Sequence, residues 1–192
     1  MCGKNNDRGF TIIEMAIVMV IIGLLIGVVL KGQALIQNAR CKNLINEAGE
    51  LTNAYYAYLH QYGKYPGDDN TTVGRWGATT VDGNNNGRID NAEPLRANQH
   101  LALAAMITGT YNGTTQPILL KYGNATTATF TQAPVAMQAW CANVISFAGL
   151  DGQAAQALDS AFDDGVWNTG KTQGSATYVP PDTIIASVNL CL

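Results

Sequence analysis

The side chains able to do chemistry in this 192-residue chain lie in two stretches. The first is Asp82-Gly-Asn84-Asn-Asn86-Gly87-Arg88-Ile89-Asp90-Asn-Ala-Glu93. It meets every required position of the twelve-residue calcium-loop pattern D-x-[DN]-x-[DN]-G-x5-E. Asp82, Asn84 and Asn86 would offer side-chain oxygens, Gly87 would permit the sharp turn, and Arg88 would contribute its backbone carbonyl. Ile89 would point inward, Asp90 would ligate directly or through water, and Glu93 would close the site with two oxygens. Three of these ligands are carboxylates, so the expected affinity is modest, nearer to extracellular modules than to cytosolic buffers. The competing reading is an Asn/Gly-rich turn that binds nothing.

The second stretch holds one carboxylate where none is expected. From Phe10 to Leu30 there are 21 residues, and Glu14 is their only ionisable side chain. About 20 apolar residues suffice for a helix to cross a bilayer, so this segment is expected to span a membrane. A charge in such a segment costs roughly 2.5 to 3.5 kcal/mol even on lenient scales, so a cation should meet Glu14. A secretory signal peptide has a shorter apolar region and a small-residue cleavage site after it, which is not found after Leu30. An ordinary membrane anchor would have no use for the acid.

A polar leader with Lys4 and Arg8, then Gly9-Phe10-Thr11-Ile12-Ile13-Glu14, then an unbroken apolar run, resembles the type IV prepilin and pseudopilin family. The resemblance covers Met1 to about Tyr62, roughly a third of the chain. It implies cleavage between Gly9 and Phe10 by a prepilin peptidase on the cytoplasmic side, followed by N-methylation of Phe10. It also implies that Glu14, fifth in the mature chain, pairs with the Phe10 amine of a neighbouring subunit during assembly. The partners so implied are further copies of the chain, in a helical filament through residues 10–62, and a pilus or secretion assembly platform. Lys4 and Arg8 keep the amino end cytoplasmic, and the remainder faces outward. The precursor is then expected in a bacterial inner membrane and the filament in the periplasm or outside the cell. Cys2 leaves with the leader.

These residues need elements to hold them. Past the membrane, apolar residues at Leu35, Ala39, Leu44, Ala48, Leu51, Tyr55, Tyr58 and Leu59 keep near-helical spacing. One helix is expected from about Phe10 to Tyr62, about 80 Å long at 1.5 Å per residue, ended by Gly63 and Pro66-Gly67. Gly23 and Gly27 make a small-xxx-small face suited to close helix packing. The tyrosines from Tyr55 to Tyr65 are expected to pack helix against head; the alternative is an aromatic electron relay. Tyr65-Pro66-Gly67-Asp68-Asp69-Asn70 reads as a solvated turn, with Asp68 as a possible supplement to the calcium loop. Upstream of that loop, Gly74 to Thr80 makes a poor entering helix, while a helix from Pro94 to before Gly109 should follow it. Strands are expected at 118–122, 125–131, 135–147, 176–179 and 184–191, with a helix from Asp151 to Phe162.

The fold class is therefore α+β: a long N-terminal helix, membrane-spanning in its first half, packed on an antiparallel head, as in pilins. Its parts are a leader (1–9), a membrane or filament-core helix (10–30), an amphipathic half-helix (31–62) and a globular head (63–192) with calcium loop 82–93. Cys141 and Cys191 both fall in the exported sheet, where oxidation is permitted, and are expected to pair. Cys41 would then be buried or joined to another subunit; three mature cysteines allow three pairings.

The formal net charge is −3. Without Lys4, Asp7 and Arg8 it becomes −4, from 9 basic and 13 acidic residues. With no Lys/Arg cluster, nucleic acid is not an expected partner. His60 and His100 are isolated, and no hydrolase, zincin or P-loop motif is present, so an enzyme is not expected. The sequence thus points to a structural subunit of a type IV pilus-like filament. The alternatives are a pseudopilin of a type II secretion system and, from another class, a monomeric, membrane-tethered, calcium-dependent binding module.

Overall fold

The computed structural model describes residues 10–123, 125–179 and 183–192. The expectations for the leader, including Gly9, lie outside the described residues. The chain divides into two compact units, 1–39 and 40–192, each taken by itself.

In the first unit the helix α1 (Ile12–Tyr62) begins, two residues later than the composition suggested. The reason is a reciprocal cap. The Thr11 N–H and hydroxyl both donate to Glu14 Oε2 at 2.8 Å, and the Glu14 N–H returns a 3.3 Å bond to Thr11 Oγ1. This is the Ser/Thr-x-x-Glu capping box, in which two orphan helix-end donors are satisfied at once. Large apolar side chains from Phe10 to Ile36 are exposed along this unit. Among the described residues, α1 is the one helix long and apolar enough to cross a membrane.

In the second unit α1 turns one face inward through Cys41, Leu44, Ala48, Leu51, Tyr55 and Tyr58, at steps of three and four that keep them on one stripe, with Ala54 beside it. Gly63, at φ 67°, ends it and donates to the Leu59 carbonyl, the left-handed stop that glycine permits. A five-residue helix α2 (Thr72–Trp76) and the eleven-residue α3 (Glu93–Leu103) follow. A five-stranded antiparallel sheet is built from β1 (Ile118–Leu119), β2 (Thr127–Gln132), β3 (Asn143–Ala148), β5 (Thr172–Gly174) and β7 (Val188–Cys191), in the order β1-β2-β3-β7-β5. Beside it, β4 (Leu150–Asp151) pairs with β6 (Ile184–Ile185), and α4 (Gly152–Phe162) starts at Asp151, whose side chain accepts from the Ala154 N–H. The core joins the α1 stripe to Phe130, Ile145 and Phe147 of the sheet, Ala97 and Leu101 of α3, and Ala154 and Leu158 of α4. The tyrosines take the packing role: the buried Tyr55 ring stacks on Tyr65 and Phe130, with centroids 5.7 and 5.9 Å away.

Three expected strands change. Residues 135–141 form turns, because Met137 and Cys141, four apart, fold inward while Val135 and Trp140 stay exposed. That is helical-turn spacing, closed by Met137 N–H to Pro134 O and Cys141 N–H to Met137 O. No strand forms at 176–179; its place beside β7 goes to Thr172-Gln-Gly174. The segment 184–191 breaks in two, each part joining a different sheet. Cys141 and Cys191 are disulfide-bonded with Cα atoms 5.9 Å apart. Cys41 is a free thiol only 6% exposed, buried as one of the two expectations held.

Candidate functional site

The loop 82–93 is held against the turn that ends α1. Gly83 donates to the Asp69 carbonyl and Asn85 to the Asp68 carbonyl, at 2.8 and 3.0 Å. The approach is so close that a Cβ on Gly83 would lie 2.3 Å from the Asp68 carbonyl carbon; only glycine fits there. Asp68 is therefore no solvated turn residue. It is 2% exposed, and its two oxygens accept the Asn86 and Gly87 N–H groups at 2.9 and 2.8 Å.

The pattern residues divide. Asp82 turns away from the loop centre: its Oδ1 accepts the Thr72 hydroxyl and Val73 N–H, both at 2.8 Å. Those bonds, the backbone one first, hold its carboxyl below the usual range. Asn84 and Asn86 set Asx turns, their Oδ1 atoms accepting from Asn86 N–H and Arg88 N–H. Their amide nitrogens donate to Asp90, at 3.2 and 2.9 Å. Glu93 is 2% exposed, and its oxygens accept from Asn84 N–H and Asp90 N–H at 2.8 and 3.1 Å. Burial pushes its carboxyl up against those bonds. Ile89 is fully buried, as expected, and the Asn143 side chain fixes its N–H at 2.8 Å. Pro94 takes its place in the first turn of α3. The oxygen-rich chemistry of Asp68, Asn84, Asn86, Asp90 and Glu93 is of the type that suits a hard cation such as calcium, and among the described residues the buried Asp68 and Glu93 have no ion pair and are held by backbone N–H groups.

Next to the loop lies a cluster that sequence reasoning missed. Asp69 is fully buried, bonded by Tyr58 Oη–H at 2.8 Å, by Thr71 N–H and hydroxyl at 2.9 and 2.7 Å, and by Arg75 at 2.9 Å. Burial raises its carboxyl, but the bonds from Thr71, Tyr58 and Arg75 outweigh it and hold it below its usual value. The Arg75 guanidinium lies 4.0 Å from the Tyr62 ring centroid and 4.8 Å from that of Trp76. His100 of α3 is wholly buried, accepting the Gly67 N–H on Nδ1 at 2.9 Å. The only signals in the sequence were the adjacent acids after Pro66-Gly67 and an aromatic-rich helix end.

Asp159, Asp163 and Asp164 have carboxylate oxygens within 4.8 Å of one another. Each serves the local chain: Asp159 accepts from Tyr178 and Gly165 N–H, Asp163 from Thr172 N–H, Asp164 from Val166 N–H and Thr169. Turn and cap roles account for all three.

At the amino end, Phe10 is exposed, and Glu14 is held by Thr11 on an apolar helix. Against known families, the prokaryotic N-terminal methylation motif matches residues 4–30. That segment is what makes the amino terminus similar to those of type IV prepilins and pseudopilins. No curated protein and no solved structure matches the chain. The motif ends before the head begins, so the head is characterised by its own geometry: a long helix and an antiparallel five-stranded sheet, a pilin-like α+β layout.

Proposed function

We propose that this chain is a structural subunit of a type IV pilus-like filament. Prepilin peptidase releases it between Gly9 and Phe10, Phe10 is methylated, and residues 10–62 bundle with those of other copies. Glu14 sets the register by meeting the Phe10 amine of a neighbour. One observation carries this reading: the methylation motif at residues 4–30 covers an exposed apolar run, 10–30, in which Glu14 is the single carboxylate. An apolar surface of that extent is for a membrane or for partners, and a carboxylate in it needs a cation. Added Cβ atoms at Gly23 and Gly27 would meet nothing within 4 Å, which leaves room for a neighbouring helix to approach. The head forms the outer surface, with the 82–93 region binding calcium.

Secretion pseudopilins share the same amino-terminal logic; the large head favours the pilus. A monomeric tether would keep α1 in the bilayer and have no need of Glu14. Replacing Glu14→Leu in cells and recovering sheared surface filaments separates the classes. Filament yield should fall to background while membrane-bound protein remains. Normal filaments from Glu14→Leu cells, or a wild-type chain that forms no filament, would contradict the proposal.

A further inference from the structure

We propose that copies of this chain join head to tail through a groove on one edge of the head, filled by the turn Val135–Trp140 of the next copy. The inference rests on the filament reading and names a contact between heads. The groove, of about 520 Å³, lies between the second half of α1 and the strand β1. Leu51 and Ala54 of α1 line it together with Ile118 and Leu120, all four buried, and Met106 and Ile107. A cavity of that size admits a bulky apolar group. Its β1 side is an edge of the sheet, since β1 pairs with β2 alone.

The turn offers such a group. Val135 is 85% exposed and Trp140 51%, while Met137 between them is buried. The turn is held in place from several sides. Met137 N–H donates to the Pro134 carbonyl, Gln138 Nε2 donates to the Ala133 carbonyl at 2.9 Å, and Cys141 is tied to Cys191. Apolar side chains presented on an ordered turn lose little freedom on binding, and Trp is among the residues that anchor protein contacts most often.

Charge complementarity selects a second copy as the occupant. Glu47 at the groove is met by Lys121 at 3.9 Å, but Glu50 beside it is exposed and, among the described residues, has no ion pair. Cations stand by the turn. Arg88 lies between Gly87 and Ile89, both bonded to Asn143, two residues past Cys141. The carbonyl of the exposed Lys171 accepts the N–H of Cys191. Among the described residues neither Arg88 nor Lys171 pairs with an acid. Seating the turn of one copy in the groove of the next brings these cations towards Glu50, and such pairing fixes orientation.

The two surfaces are far apart within one chain. The groove lies at β1 and Lys171 leads into β5, opposite edges of the five-stranded sheet, four strand spacings of about 4.8 Å from each other. Contact between two different patches is heterologous, and it propagates as an open helical filament when the rotation does not close a ring.

The test is zero-length carbodiimide coupling of sheared wild-type filaments, followed by peptide mapping. Glu50 should be found joined to Lys171, a link that the sheet width allows only between copies. Trp140→Asp should lower the yield of sheared filaments at least tenfold, with the far-UV circular dichroism of the membrane-bound protein unchanged. Filaments without the Glu50–Lys171 link, or with Glu50 joined to another surface of the neighbour or to a different protein, overturn the inference and leave the filament reading standing. So does a normal filament yield from Trp140→Asp. Should Trp140→Asp not fold, the link in wild-type filaments decides. A wild type that forms no filament overturns the filament reading and the inference with it.

Discussion

Acid should loosen this head through one residue, His100. Its ring is wholly buried, stacked near Tyr58 and Trp76 at centroid distances of 6.3 and 6.4 Å. The Gly67 N–H points at Nδ1, so the proton resides on Nε2 and faces the Val81 carbonyl at 3.3 Å. Protonating Nδ1 would set two donors against each other. Burial is the main cause that holds the imidazole down to about 4 from an ordinary 6.5; Arg96 adds to it, while the Val81 carbonyl, Asp69 and Asp82 oppose it. The unfolded chain therefore takes a proton that the folded chain refuses. Stability from this group is fully present above pH 6.5 and is lost as pH falls towards 4, at about 1.4 kcal/mol per pH unit. The whole loss is about 3 kcal/mol, and about 2 kcal/mol of it falls between pH 6.5 and 5. Urea unfolding of the mature protein in micelles, followed by tryptophan fluorescence at pH 7.5, 6.5, 5.5 and 5.0, measures it. His100→Asn, which keeps an acceptor but does not titrate, should be less stable at pH 7.5 yet lack that slope. Equal slopes in the two proteins would refute the reasoning.

Two further outcomes follow from the same head. Replacing Cys141 and Cys191 by Ser should cost about 4 kcal/mol, the chain-entropy value for a 50-residue separation; denaturant midpoints would read it, and a loss under 1 kcal/mol would mean the bond constrains little. In wild type, alkylation should reach Cys41 only after unfolding, because it lies on the buried stripe of α1. Tyr58→Phe removes the 2.8 Å bond to buried Asp69 and should cost about 1.5 to 3 kcal/mol, as bonds to charged groups do. Since Asp69 is held below its ordinary 3.8, its contribution is present above that value and fades as pH falls beneath it; in Tyr58→Phe the fade should be smaller and end at a higher pH.

Some of this architecture could be read directly from the residues, because it is written in local composition. The α1 helix announces itself by apolar content and then by three-and-four spacing, and the Asp151 cap precedes a clear helical pattern. The disulfide followed from two cysteines expected in a sheet that would be exported, although Cys141 itself lies just before β3. What could not be read was set by contacts distant in sequence. Asp68 bonds to N–H groups eighteen and nineteen residues away, and no periodicity marks such a residue. Likewise Thr172-Gln-Gly174 forms a strand because β7 offers an edge, not because of its own apolar pattern. The calcium pattern itself was visible, yet position one is taken up by α2, whose Thr72 and Val73 compete for Asp82. The helix start at Ile12 had a local signal in the capping pattern Thr11-x-x-Glu14.

The central claim is that the chain is processed at its amino terminus and leaves the membrane in a filament. Mass spectrometry of the mature protein in a sheared-surface fraction, with its amino terminus sequenced, tests this most directly. The account predicts a chain that begins at methylated Phe10 and is recovered in shed filaments. An uncleaved chain confined to membranes would contradict it.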